Sequence, residues 1–180
     1  MGADAASSDT RIRLMPYQPE YFDAATALIV SIQRDEFGFD IDLARQPDLS
    51  AIPEFYQSGT GNFWVALHDD TVVGTIALKD IGEHNVALRK MFVKTTYRGP
   101  EWGVARKLLH TAVRWARQHS ATSADNVRSI FLGTTEKFHA AHRFYEKHGF
   151  SPIDKTSLPA SFLFMPVDTR FYRLDLASAL

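Results

Sequence analysis

Between Leu88 and Leu109 the chain reads LRKMFVKTTYRGPEWGVARKLL, and its character changes twice. Met91, Phe92 and Val93 are the apolar end of a strand, after which Arg98-Gly99-Pro100-Glu101-Trp102-Gly103 breaks any regular period. A helix follows at once, with Ala105, Leu108, Leu109, Ala112 and Ala116 recurring at helical spacing. Arg106, Lys107, Arg114 and Arg117 take its other faces, and no acidic residue stands between Trp102 and His119. A strand that runs through a Gly-containing turn into a cationic helix offers backbone N–H groups and a positive dipole end to an anion. The stretch therefore predicts a site for a phosphorylated cofactor.

A chain of 180 residues has room for one domain with a sizeable core that needs neither disulfides nor metal. Its 20 basic and 21 acidic residues nearly cancel, so no global field draws it to nucleic acid or to a membrane surface. Cysteine is absent, which excludes a disulfide framework, thiolate zinc sites and cysteine nucleophiles, and agrees with a reducing cytoplasm. No apolar run approaches the roughly 20 residues that cross a bilayer. The expectation is a soluble cytoplasmic protein, with residues 1–10 a loose tail and 11–180 one domain.

Taken in order, Arg11–Tyr17 alternates as a first strand and Pro19–Arg34 carries apolar residues at helical spacing. Asp35–Pro47 has no clear period, and Asp48–Gln57 predicts a short helix. Asn62–His68 and Thr71–Lys79, joined by Asp69-Asp70, form a hairpin in which Gly74 marks a bulge or a close backbone approach. Asn85–Val93 is a fourth strand and Val127–Leu132 a fifth, with the cofactor turn and its helix between them and a polar loop at Ser120–Asn126. Thr134 or Thr135 caps a further helix that Gly149 ends. A sixth strand begins at Phe150–Ile153, Phe162–Val167 extends or replaces it, and Arg170–Leu176 closes the fold. The order β-α-α-β-β-β-α-β-α-β-β describes one mixed α/β domain, a mostly antiparallel central sheet of about seven strands with helices on both faces.

Two segments, MFVKTTYRGPEWGVARKLL and LGTTEKFHAAHRFYEKHGF, together with this element order resemble the GCN5-related N-acetyltransferase (GNAT) family. The resemblance implies an enzyme that moves an acetyl group directly from acetyl-CoA to a primary amine. It implies that the first segment holds the diphosphate on backbone amides, where Gly103-Val104-Ala105 match the family pattern while the basic residue, Arg98, comes two positions early and lengthens the turn. Gly99, Trp102 and Arg106 belong to the same cofactor turn. Met91, Phe92 and Val93 match the strand whose main chain pairs with pantetheine and polarises the thioester carbonyl, and Thr134 and Ala141 complete the implied cofactor contacts. The ending of Ala, two residues, aromatic-Tyr, three residues, Gly-Phe falls on Ala141, Phe144, Tyr145, Gly149 and Phe150. Tyr145 thereby corresponds to the acid that protonates the departing thiolate, a task suited to a phenol with an ordinary pKa of about 10. Phe138 stands where relatives often carry an Asn.

On the acceptor side an ammonium must lose a proton before it attacks. Where many relatives carry Glu on the fourth strand this chain has Ala87, which leaves Glu83 and His84 just upstream as candidate bases, with Glu36, Asp40 and Asp42 in the loop that borders the acceptor in this family. The acids of that loop hint at a cationic acceptor. His139, His142 and Glu146 share a helical side, yet nothing else supplies a ligand set, so no metal is expected. The partners implied are acetyl-CoA and an amine, with no nucleic acid and no membrane; homodimers are common in the family. The second reading is a CoA-binding sensor or partner module without catalysis, suggested by Ala87 and Phe138.

Overall fold

The computed structural model describes residues 11–120 and 126–177, so the expected tail and the core of the Ser120–Asn126 loop lie outside the described residues. Seven strands form one sheet: β1 (Ile12–Pro16), β2 (Asn62–His68), β3 (Thr71–Asp80), β4 (Asn85–Val93), β5 (Ser129–Thr134), β6 (Ser151–Ile153) and β7 (Arg170–Asp175), in spatial order β1-β2-β3-β4-β5-β7-β6. Every pairing is antiparallel except β4 with β5. That single parallel contact follows from the crossover through α3 (Val104–Ser120), because a helix between two strands returns the chain in the same direction.

Helices α1 (Phe22–Ser31) and α2 (Ile52–Phe55) cover one face, with Ala25, Ile29, Ile52 and Tyr56 against Phe63, Val65 and Ala77. Helices α3 and α4 (His139–Lys147) cover the other, with Leu108, Leu109, Ala112 and Tyr145 against Ile76, Leu88, Ile130 and Tyr172. Among the described residues no helix is long and apolar enough to cross a membrane.

The Asp69-Asp70 turn takes positive φ at both residues (47° and 65°), as a tight two-residue hairpin requires. The first helix runs on beyond its expected end: its final turn widens, with Phe37 N–H reaching the Ile32 carbonyl at 3.2 Å, and carries Gln33 inward. Two expectations are corrected. Thr134 is the last residue of β5 and does not cap α4, which starts at His139 behind Phe138; Thr135 instead accepts the Lys137 N–H at 3.2 Å. Residues 162–167 are irregular and end in a turn instead of forming a strand, and of them only Phe162 is buried while Leu163, Phe164, Met165 and Val167 are exposed.

Gly74 has both features its position suggested. The β2–β3 register shifts beside it, and a Cβ there would meet Leu108 Cδ1 and Val104 Cγ1, each at 3.0 Å. The missing side chain lets α3 settle onto β3 close to the start of the helix. Gly74→Val therefore forces the helix off the sheet and should destabilise the fold by about 1–3 kcal/mol, seen as a lower denaturant midpoint at unchanged slope.

Candidate active site

Strands β4 and β5 pair only at Asn85 with Ser129, Val86 with Ile130 and Ala87 with Phe131. Beyond Ala87 they part: β4 continues to Val93 along β3, and β5 continues to Thr134 along β7, with no further pairing between them among the described residues. The Leu88–Val93 edge thus faces a gap, lined with main-chain groups that a ladder would otherwise occupy.

A bulge in β4 decides which side chains reach each side of that gap. Thr75 pairs with Phe92 but Ala77 with Arg89, so β4 carries one extra residue there. That residue is Lys90, with φ at 52° and its carbonyl held by the Thr75 hydroxyl at 2.7 Å. The insertion resets the alternation, putting Met91 with Leu88 and Val93 on the α3/α4 face. Phe92 joins the α1/α2 face, and the Lys90 side chain points there too.

On the α3/α4 face the Tyr145 hydroxyl meets Met91 Sδ at 3.6 Å. Tyr145 is fixed by the end of its own helix: Phe150 N–H bonds the Tyr145 carbonyl at 3.1 Å, Gly149 N–H bonds Glu146 at 3.2 Å, and Gly149 sits at φ 93°. This left-handed ending brings the Phe150 ring to 5.6 Å from the Tyr145 ring. The spacing of Tyr to Gly-Phe in the sequence is the spacing of that cap. Burial pushes the Tyr145 phenol well above its ordinary value, so it holds its proton at neutral pH.

Past Val93, a short 3-10 turn at Thr95–Tyr97 leads to Gly99, whose carbonyl accepts the N–H groups of Trp102 (3.1 Å) and Gly103 (3.4 Å). Gly103 adopts φ 61°, a conformation that a side chain would oppose, and α3 opens directly after it. The first-turn amides of Val104 and Ala105 have no carbonyl one turn earlier within the helix, and no acidic residue stands in that turn. Trp102 packs on Tyr97 and His68, with ring centroids 4.7 and 5.0 Å away. Arg98 turns elsewhere: Nε donates to the Val93 carbonyl at 2.7 Å, and Nη1 and Nη2 grip Glu36 Oε1 and Oε2 at 2.6 and 2.7 Å. That bidentate bond holds the Glu36 carboxyl below its ordinary value.

The α1/α2 face carries a polar network that sequence reasoning missed. Lys90 Nζ donates to Gln46 Oε1 at 2.7 Å and lies 3.2 Å from Asp48 Oδ2, with the two charged side chains only 12% and 14% exposed. Tyr56 donates to the same Asp48 oxygen at 2.5 Å, and Gln33 and Gln46 exchange amide hydrogen bonds at 3.1 and 2.8 Å. Burial pushes the Lys90 ammonium down and the Tyr56 phenol up; Asp48 opposes the first shift and reinforces the second. The Arg89 guanidinium faces Tyr56 and donates to the Leu163 carbonyl. The available signal was Arg89-Lys90 itself, adjacent cations that break the alternation inside an apolar strand.

Other expected residues fall into place around this arrangement. Phe138 packs on Phe37 at 4.4 Å, and Phe37 on Phe92 at 6.4 Å. Glu83 and His84 form the positive-φ turn into β4, at the opposite end of the strand and roughly 20 Å from Met91 at the usual rise. The structure does not bring them to Tyr145. Asp40 pairs with Arg45 at 3.2 Å and Asp42 accepts the Arg45 N–H at 3.0 Å. His142 is buried, its Nε2 donating to the Thr135 carbonyl at 2.9 Å, while Glu146 accepts from Tyr172 at 2.9 Å; no trio of metal-ligating side chains gathers among the described residues.

A seven-stranded sheet whose fourth and fifth strands part beside a helix N-terminus joins the two motif segments in one scaffold. Residues 27–150 match the model of the Acetyltransferase (GNAT) family. The chain is 36% identical to a GNAT-family acetyltransferase from Staphylococcus aureus, with a TM-score of 0.83 over 92% of this chain and 99% of that one. An acetyltransferase from Streptococcus agalactiae gives 33% identity and a TM-score of 0.82, covering 92% and 98%. A curated relative, N-acetylaspartate synthetase of Danio rerio, is 32% identical over 76% of this chain and 49% of its own length. The chain spans about half the length of the curated N-acetylaspartate synthetases it matches. It belongs to the GNAT family.

The Glu36–Arg98 clasp gives a pH test. A depressed folded-state carboxyl contributes stability above the ordinary value of 4.5, lost as pH falls through the lower folded value. With both groups about one-third exposed, the contribution is at most about 1 kcal/mol. The stability gap between the native chain and Glu36→Gln, read by urea melts, should be widest near pH 6 and close below about pH 4. A gap that persists unchanged at pH 3 would show that the clasp is not its origin.

Proposed function

We propose that this protein is an N-acetyltransferase that moves an acetyl group directly from acetyl-CoA to a primary amine, without a covalent enzyme intermediate. The observation that carries this reading is the parting of β4 from β5 where the protonated Tyr145 hydroxyl rests against Met91. Acetyl-CoA supplies an activated thioester whose sulfur leaves as a thiolate.

The residues present fit that donor. The open Leu88–Val93 edge suits the amide groups of a pantetheine arm, and the amides of Val104 and Ala105 behind Gly103 suit a diphosphate. Arg98 would brace this turn through Val93 and Glu36, since its guanidinium is committed to them. A main-chain N–H of β4 near Met91 or Val93 would steady negative charge growing on the carbonyl oxygen, worth on the order of 3 kcal/mol for one well-aimed donor. Tyr145 holds its proton at Oη, can pass it to the sulfur as the C–S bond breaks, and regains one from the acetylated nitrogen, which offsets the weaker basicity of a thiolate with an ordinary pKa nearer 8.5. The names of the curated relatives put amino acids first among the acceptors to try.

Tyr145→Phe should lower kcat by about 100-fold or more while leaving CoA affinity within about twofold, measured by thiol release and by calorimetry. An unchanged kcat would remove Tyr145 from the proton transfer. Tight CoA binding without thiol release across a broad amine panel would instead favour a CoA-binding sensor.

A further inference from the structure

Four of the five acids in residues 32–48 have partners within the protein. Glu36 is gripped by Arg98, Asp40 and Asp42 serve Arg45, and Asp48 takes both Lys90 and Tyr56. They therefore do not recommend a cationic acceptor. Beside the gap, β4 places two adjacent cations, Arg89 and Lys90, on the α1/α2 face. Lys90 has Asp48, while Arg89 donates to the Leu163 carbonyl and faces the Tyr56 hydroxyl, with no ion pair of its own among the described residues. Asp168 feels the Arg89 charge, yet it accepts the Met165 N–H at 2.9 Å and forms no ion pair with Arg89 among the described residues.

A half-buried arginine with no carboxylate partner among the described residues is unusual, because arginine leaves water mainly when an anion replaces its hydration. Its planar fork has five donors, more than these two oxygens use. Arg89 stands two residues before Met91, roughly 7 Å along the strand, where β4 has just left β5. In an amino acid the carboxylate carbon lies two bonds from the amine nitrogen. A carboxylate resting on Arg89 thus keeps the amine close to the β4 edge that faces the gap.

We propose that the acceptor is an amine that also bears a carboxylate, and that Arg89 is the specificity-determining residue that binds this carboxylate, with the Asp48–Lys90–Tyr56 network holding Arg89 in place. This rests on the acetyltransferase reading above. The Leu163 contact adds a consequence: Arg89 also pins the 162–167 segment beside the acceptor, so that Phe162 packs on Ala87 and Phe171 while its neighbours stay exposed.

The test uses the full chain saturated with acetyl-CoA, offered L-aspartate, L-glutamate and L-alanine, the carboxamides of each, and n-butylamine. Carboxylate acceptors should be acetylated at least tenfold more efficiently than their amides. Arg89→Gln should erase that preference by raising the KM of carboxylate acceptors about 10- to 100-fold, with CoA affinity unchanged. Arg89→Lys, which keeps the charge and loses the fork, should fall between, and thermal melts check that both variants fold. A preference for amides or butylamine, or selectivity that survives Arg89→Gln, overturns the proposal while the acetyltransferase reading stands. If CoA fails to bind, that reading falls instead, and calorimetric titration of L-aspartate and L-glutamate into the unloaded chain still decides: binding lost in Arg89→Gln supports the carboxylate site, and no binding overturns it.

Discussion

One extra residue in β4 organises both sides of the site. Without the bulge at Lys90, strict alternation from Ala87 through Arg89 would carry Met91 to the α1/α2 face, away from Tyr145. Left-handed backbone at a lysine costs on the order of 1 kcal/mol, and the surroundings offset it. The Thr75 hydroxyl fixes the carbonyl of the bulged residue, while Asp48 and Gln46 fix its ammonium. Two hydrogen-bonding systems on opposite ends of one residue hold it in place, and Met91 and Arg89 inherit their directions from it.

The same strand sets where the gap begins. Three parallel pairs anchor β4 to β5, and the antiparallel partners β3 and β7 then draw the two strands apart. A sheet ordinarily repairs such an opening, since unpaired main chain away from water is costly. Here the opening is tolerated because each strand keeps a complete partner on its other edge. What remains is a row of donors and acceptors of fixed spacing, suited to a ligand with amide groups of its own.

Much of this was legible in the chain. Strands β2 and β4 carry the expected bounds because apolar runs between Gly and Asp turns leave few alternatives, and Gly74 and Gly149 act as their positions suggest. The placements of Tyr145 and of the Gly103 turn were readable because local motifs encode them: a left-handed helix ending and a strand-to-helix corner. What escaped was tertiary. Asp48, Tyr56, Gln46 and Gln33 reach Lys90 from three separate stretches, and no periodicity records a meeting of that kind. The aperiodic Asp35–Pro47 stretch was illegible for a related reason, since its residues satisfy one another and Arg98 instead of a regular ladder.

The Glu36–Arg98 clasp joins the two halves that the motifs leave separate. Arg98 belongs to the turn before α3, and Glu36 to the widened end of the first helix, one residue before Phe37. Phe37 in turn touches Phe92 on β4 and Phe138 ahead of α4. A shift of the turn therefore pulls on Glu36, and through Phe37 on the aromatic wall beside the gap. Arg98 Nε also holds the Val93 carbonyl, so the end of β4 moves with the same unit. An arginine that grips a carboxylate with its fork and a strand carbonyl with its third nitrogen ties these elements together. Its early position in the motif is what lets it reach both.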